Sequence, residues 1–140
     1  MMKNLFRIFL GISAAFLIAG CGFAKSKEAA VKGVEAFHQE FNDSKFREVY
    51  AAATPAFKSA STEPDFLKFM EAVRRKLGAY KGGTQQGWRT NVFNGKTSVE
   101  LSYKSDFEKG SAVETFTYSV SGGGATLQGY NVTSPKLVTE

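Results

Sequence analysis

Lys96-Thr97-Ser98-Val99-Glu100-Leu101-Ser102-Tyr103-Lys104 changes character at every residue, apolar or β-branched at one position and polar at the next. Successive side chains of an extended chain point to opposite faces, so Thr97, Val99, Leu101 and Tyr103 line one face of a strand while Lys96, Ser98, Glu100, Ser102 and Lys104 line the other. The same period recurs downstream, where Ala112, Phe116, Tyr118 and Val120 alternate with Val113, Thr115, Thr117 and Ser119, and Tyr130 with Val132 closes a further strand. Asn94-Gly95, Lys109-Gly110 and Gly122-Gly123-Gly124 separate these runs and supply the positive φ that tight hairpin turns require. With Trp88 to Phe93 as the first strand, the second half of the chain predicts a four-stranded antiparallel meander with one buried and one wet face.

Upstream the period lengthens. Ala30, Val34, Phe37 and Phe41 fall at i, i+4, i+7 and i+11, a single stripe on a helix from Ser26 to Asn42, with Lys27, Glu28, Lys32, Glu35 and Glu40 elsewhere on its circumference. Asp43 or Ser44 is placed to cap a second helix carrying Phe46, Val49, Tyr50 and Ala53, and Thr54-Pro55 ends or bends it, because a residue before proline is pushed out of the helical region. Thr62-Glu63-Pro64-Asp65 joins a capping hydroxyl, a first-turn proline and two first-turn carboxylates ahead of Phe66, Met70, Val73 and Leu77. Arg74-Arg75-Lys76 then occupies the last turn and Gly78 follows, so the basic triplet reads as a helix-end device facing the negative end of the dipole. Helices followed by a meander make the class α+β, with the helices packed on one sheet face.

The N-terminus carries a different signal. Lys3 and Arg7 precede an apolar run from Ile8 to Ile18, and Leu17-Ile18-Ala19-Gly20-Cys21 ends on the chain's one cysteine. This stretch resembles the bacterial lipobox, which implies that the Cys21 thiol receives a diacylglyceryl group and becomes the acylated N-terminus after cleavage. The apolar run is short of the ~20 residues a spanning helix needs, so the expected anchor is lipid, and several acyl chains at ~0.8 kcal/mol per buried methylene hold a protein on a membrane firmly. Cleavage removes 20 of the 140 residues and leaves 120, enough for one domain. The expected division is a signal peptide over 1–20, a tether over 21–25, one α+β domain over 26–133 and a flexible tail over 134–140. Lys3 and Arg7 leave with the signal, so a formal charge of +5 becomes +3. That balance is no argument for nucleic acid. With Cys21 alkylated no thiol remains for disulfides, thiolate catalysis or cysteine metal sites.

Two further stretches carry a family resemblance. The helical half ending in Arg75-Lys76-Leu77-Gly78, together with Val99 to Phe107, Ala112 to Phe116 and Gly129-Tyr130-Asn131-Val132, resembles a small bacterial lipoprotein family of unknown function. That family looks like part of the cystatin-like, nuclear-transport-factor-two-like superfamily, which implies helices lying across a curved four-stranded sheet to enclose a conical cavity. The family's last strand often carries tryptophan ahead of its Gly-Tyr, whereas this chain reads Gly124-Ala125-Thr126-Leu127-Gln128.

Few residues here suit chemistry. With His38 the only histidine, no Ser-His, Cys-His or two-histidine metal constellation is expected, and it sits at the margin of the first helix's stripe with one ring nitrogen expected wet. Glu114 shares strand parity with Phe116 and Tyr118 and is the best-placed carboxylate for an acid or base, though a structural role answering Lys104 or Arg89 across the strands accounts for it as well. Asp106 and Glu108 read as solvated turn residues. No phosphate loop, nucleotide fingerprint or calcium loop is present, and neither cofactor nor metal is expected. Trp88, Tyr103, Phe116, Tyr118 and Tyr130 with Glu114 form the possible pocket, as core packing or as the lining of an apolar cavity. The expectation is a non-catalytic binding or interaction module of the cell envelope, lipid-anchored in the outer membrane and facing the periplasm. Its partner is an envelope protein on the sheet's open face or rim, or alternatively a small apolar ligand between helices and sheet, with a single-carboxylate enzyme last.

Overall fold

The computed structural model describes residues 17–139, with side chains from Gly22 onward. The part of the expected signal peptide before Leu17, and the Cys21 side chain expected to be acylated, lie outside the described residues. The chain runs α1 (Leu17–Asn42), α2 (Phe46–Ala52), α3 (Pro55–Ala60), α4 (Glu63–Leu77), β1 (Tyr80–Phe93), β2 (Lys96–Phe107), β3 (Gly110–Ser121), β4 (Gly124–Thr133) and α5 (Pro135–Val138). It is α+β, helices first and then one antiparallel sheet in the order β1-β2-β3-β4.

Alternation decides which sheet face is covered. Val99, Leu101, Tyr103 and Phe107 of β2 and Ala112, Glu114, Phe116 and Tyr118 of β3 are buried beneath the helices, while their Ser, Thr and Lys neighbours stand on the open face. The α1 stripe answers with Ala30, Val34, Phe37 and Phe41, and α4 adds Phe66, Met70, Val73 and Leu77. Each buried Val, Leu, Phe or Met among them contributes about 1.5–3 kcal/mol on leaving water. Gly33 lets α1 settle onto the sheet, since a Cβ there would lie 2.6 Å from the Tyr118 ring.

The termini of the helices follow local chemistry. Thr62 accepts from the Asp65 amide at the start of α4, Pro64 lies in its first turn, and Gly78 takes φ 78° at its end. Thr54-Pro55 separates two helices, with the Thr54 side chain accepting from the Phe57 amide, and Phe57 is buried in the short α3. The cap expected from Asp43 or Ser44 is not formed: Ser44 takes a left-handed φ of 55° in the turn, and Lys45 precedes α2 with no side-chain cap.

Three boundaries differ from the sequence reading. Residues 21–25, read as a tether, continue α1, which begins at Leu17. The first strand starts at Tyr80 and not at Trp88, because β1 pairs with β2 through its backbone across Gly82-Gly83 and Gln85-Gln86, with register shifts at both places. An edge strand needs no apolar alternation for that, and glycines there hid it. The tail is docked: Ser134 is buried with its hydroxyl donating to the Ser111 carbonyl at 2.7 Å, and Lys76 donates to the Leu137 and Thr139 carbonyls. One residue of the expected basic triplet therefore holds the C-terminal turn.

Candidate functional site: a buried carboxylate beneath an aromatic groove

Strand parity points Glu114 of β3 at the helices, and it is 1 % exposed. A carboxylate out of water costs several kcal/mol unless its oxygens are answered. Both are. His38 Nε2, from the middle of α1, lies 2.8 Å from Oε1, and the Tyr130 hydroxyl, from the neighbouring strand β4, donates to Oε2 at 2.6 Å. Burial, reinforced by the Glu114 charge and the bond to it, pushes the Tyr130 phenol well above its ordinary range. Tyr130 therefore keeps its proton and donates to Oε2, and the tautomer of His38 that carries its proton on Nε2 is the one that donates to a carboxylate at Oε1.

Aromatic rings fix this network in place. The His38 ring stacks on Tyr80 with centroids 3.5 Å apart and planes 4° from parallel, and meets Phe116 edge-on at 5.5 Å. Phe37 packs against Tyr130 at 4.6 Å and Phe116 at 5.1 Å. Tyr80 is itself held by Asn42 at the end of α1, whose amide donates to the Tyr80 carbonyl and accepts from its N–H. The imidazole is thus clamped between a carboxylate and a phenol ring.

His38 and Tyr80 also form part of the wall of a groove of about 350 Å³ between α1 and β1. Val31, Val34 and Tyr103 supply its apolar surface, Glu35 and Gln39 its rim, and Gly83 its β1 side. On the far side of Glu114, Tyr130 borders a second hollow of about 220 Å³ with Phe57, Phe66 and Phe69. His38, Glu114 and Tyr130 therefore form a polar bridge between two apolar recesses. Nδ1 of His38 finds no hydrogen-bond partner among the described residues, and it is not among the sealed, orphaned polar atoms.

Of the six residues expected to line a pocket, the structure brings five together. Tyr103, Phe116, Tyr118 and Tyr130 form a chain of ring contacts around Phe116 at 5.1–6.3 Å, with Glu114 beside it. Only Tyr103 faces the groove; Phe116 is sealed in the core, and Tyr118 lies under Gly33 with its phenol pushed far up by burial. Trp88 is elsewhere, half exposed, with Lys27 Nζ 4.9 Å from its ring centre.

The cross-strand partners considered for Glu114 are on the other face. Arg89 pairs with Glu100 at 3.1 Å, and Lys104 is exposed one register position away from the Tyr103–Glu114 pair. His38, expected half wet at the stripe's margin, is 5 % exposed and carries the carboxylate. The residues missed by sequence reasoning are His38 in this role, Tyr80 and Asn42. A histidine beside Phe37 on a buried stripe, with one inward glutamate in the sheet, was the available signal. Among the described residues no group of three His, Cys, Asp or Glu could hold a metal, and no helix is long and apolar enough to cross a membrane. No family model matches this chain, and no curated protein matches it.

Glu114 spends both oxygens and Tyr130 its proton inside the network, and the Asn42 amide is spent on backbone, which leaves Glu35, Gln39 and the Tyr103 phenol as the other polar side chains at the groove. What remains is a rigid, mostly apolar recess with one oriented imidazole nitrogen.

Proposed function

We propose that the protein is a lipid-anchored, non-catalytic binding module of the cell envelope, held through acylated Cys21 in the outer membrane and facing the periplasm. Its domain is a cystatin-like cone. Its ligand is a small, mostly apolar molecule with one hydrogen-bonding group, seated in the groove and addressed to His38. The observation that carries this reading is the double position of His38, which anchors Glu114 at Nε2 and lies in the wall of an aromatic recess. The open sheet face supports the small-ligand reading over an apolar protein contact there. Ser98, Ser102, Thr115, Thr117 and Ser119 populate it, with Val113 the one half-exposed large apolar side chain on β3.

Native mass spectrometry of the chain purified from its own envelope tests the proposal. A small molecule retained by the protein and lost from a Val31→Trp variant, which fills the groove, is the expected result. Retention by that variant, or recovery of a stoichiometric protein partner with no small molecule, would overturn it.

A further inference from the structure

The two ends of the molecule differ in charge, and the difference singles out the end next to Cys21. Asn42 ties the C-terminus of α1 to Tyr80 at the start of β1, and Lys27 lies over Trp88 farther along the same strand. The helical distance between Asn42 and Lys27 is about 22 Å at ~1.5 Å per residue, and Tyr80 to Trp88, paired with Phe107 to Leu101 across two bulges, spans about 20 Å at ~3.3 Å per ladder step. The two elements therefore run side by side in opposite directions. Continuing past Lys27, Cys21 stands about 9 Å farther along α1, while Phe93 at the β1–β2 turn stands about 17 Å past Trp88. The turn between β3 and β4 comes to the same end, because Thr97 pairs with Val120.

This end is apolar and cationic. Phe93 is 77 % exposed and Val92 58 %, with Phe23 also exposed on α1. Lys25 and Lys96 stand exposed beside them. None of the chain's thirteen Asp and Glu lies within 21–27, 90–99 or 119–126, the stretches that build this end. The first carboxylates below it are already engaged, Glu28 with Lys32 at 3.3 Å and Glu100 with Arg89 at 3.1 Å. The opposite end carries Arg74, Arg75 and Lys109 but mixes them with Glu71 and Glu108.

We propose that the β1–β2 turn and the part of α1 just after Cys21 form a bilayer-facing surface, in which Phe93 and Val92 enter the headgroup region of an anionic phospholipid membrane and Lys25 and Lys96 meet lipid phosphates. Aromatic and aliphatic side chains ringed by lysine suit that boundary, where apolar burial and attraction to anionic lipid act together. The heights fit: with the Cys21 sulfur at the interface, Phe93 reaches past it and Trp88 remains outside. The domain then stands with its groove between α1 and β1 open to the aqueous side. This inference rests on the tether at Cys21, and the test separates the two.

Trp88 is the only tryptophan, so a Trp88→Phe background can carry a single reporter at the turn, Phe93→Trp, or at the far end, Lys45→Trp. The full chains are purified from their own membranes and reconstituted in vesicles of phosphatidylcholine and phosphatidylglycerol with brominated acyl chains. Strong quenching and a blue-shifted emission at position 93, with neither at position 45, are expected. Weaker quenching at position 93 in vesicles of phosphatidylcholine alone is the second expected result. Equal quenching at both positions, or none at 93 in a chain whose mass shows acylated Cys21, overturns the surface while leaving the anchor standing. An unacylated chain that still binds anionic vesicles with position 93 quenched upholds the surface and removes the anchor.

Discussion

Glu114 shows how one residue ties helix, sheet and groove together. Its carboxylate lies within hydrogen-bond distance of both the His38 imidazole of α1 and the Tyr130 phenol of β4. Glu114→Ala leaves two buried polar groups without partners, and each such orphaned group costs about 1–3 kcal/mol. Urea unfolding of Glu114→Ala is therefore expected to show a large fall in midpoint with little change in slope, whereas Glu100→Ala, whose salt bridge to Arg89 is at the surface, is expected to lose under about 1 kcal/mol. The inward direction of Glu114 was legible in the sequence, since it keeps step with Phe116 and Tyr118. Its partners were not, because His38 and Glu114 are 76 residues apart and no local pattern joins them.

At the scale of elements, the long, periodic segments were the readable ones. The apolar stripes of α1 and α4 are buried at the residues their spacing marks, and Thr62 and Gly78 end α4 as their chemistry requires. The start of β1 escaped because an edge strand is defined by hydrogen bonds to β2, and Gly82-Gly83 with two glutamines carries no alternation. Gly33 escaped for a related reason, its value being the space it leaves for Tyr118. In an exposed helix, glycine to alanine gains about 1 kcal/mol. Here Gly33→Ala forces a methyl against a buried ring, and overpacking of that kind costs about 1–3 kcal/mol. Thermal unfolding is expected to show a lowered Tm for Gly33→Ala, against a raised or unchanged Tm for Gly22→Ala, where a Cβ meets nothing within 4 Å.

For the molecule as a whole, buried phenols set the response to alkali. Tyr118 and Tyr130 are held far above the usual phenol range, chiefly by burial and then by nearby carboxylates, and Tyr80 and Tyr103 are raised by the same causes. A folded-state pKa above the unfolded value means that the unfolded chain gives up its protons first. The stability linked to these groups is whole below about pH 10, the ordinary phenol value, and drains as pH rises from there toward the folded values. Unfolding followed at increasing pH is expected to coincide with a cooperative rise in tyrosinate absorbance, and Tyr130→Phe to weaken that dependence.

The single histidine is clamped to Glu114 through Nε2 in the wall of the groove, with Nδ1 unpaired among the described residues. Because no other imidazole contributes, a ¹⁵N side-chain NMR spectrum reports on His38 without ambiguity. A proton resident on Nε2, protected from solvent exchange and lost from the spectrum in Glu114→Ala, is the predicted result. A bare Nε2, or an Nε2 proton exchanging as fast as that of free imidazole, would contradict it.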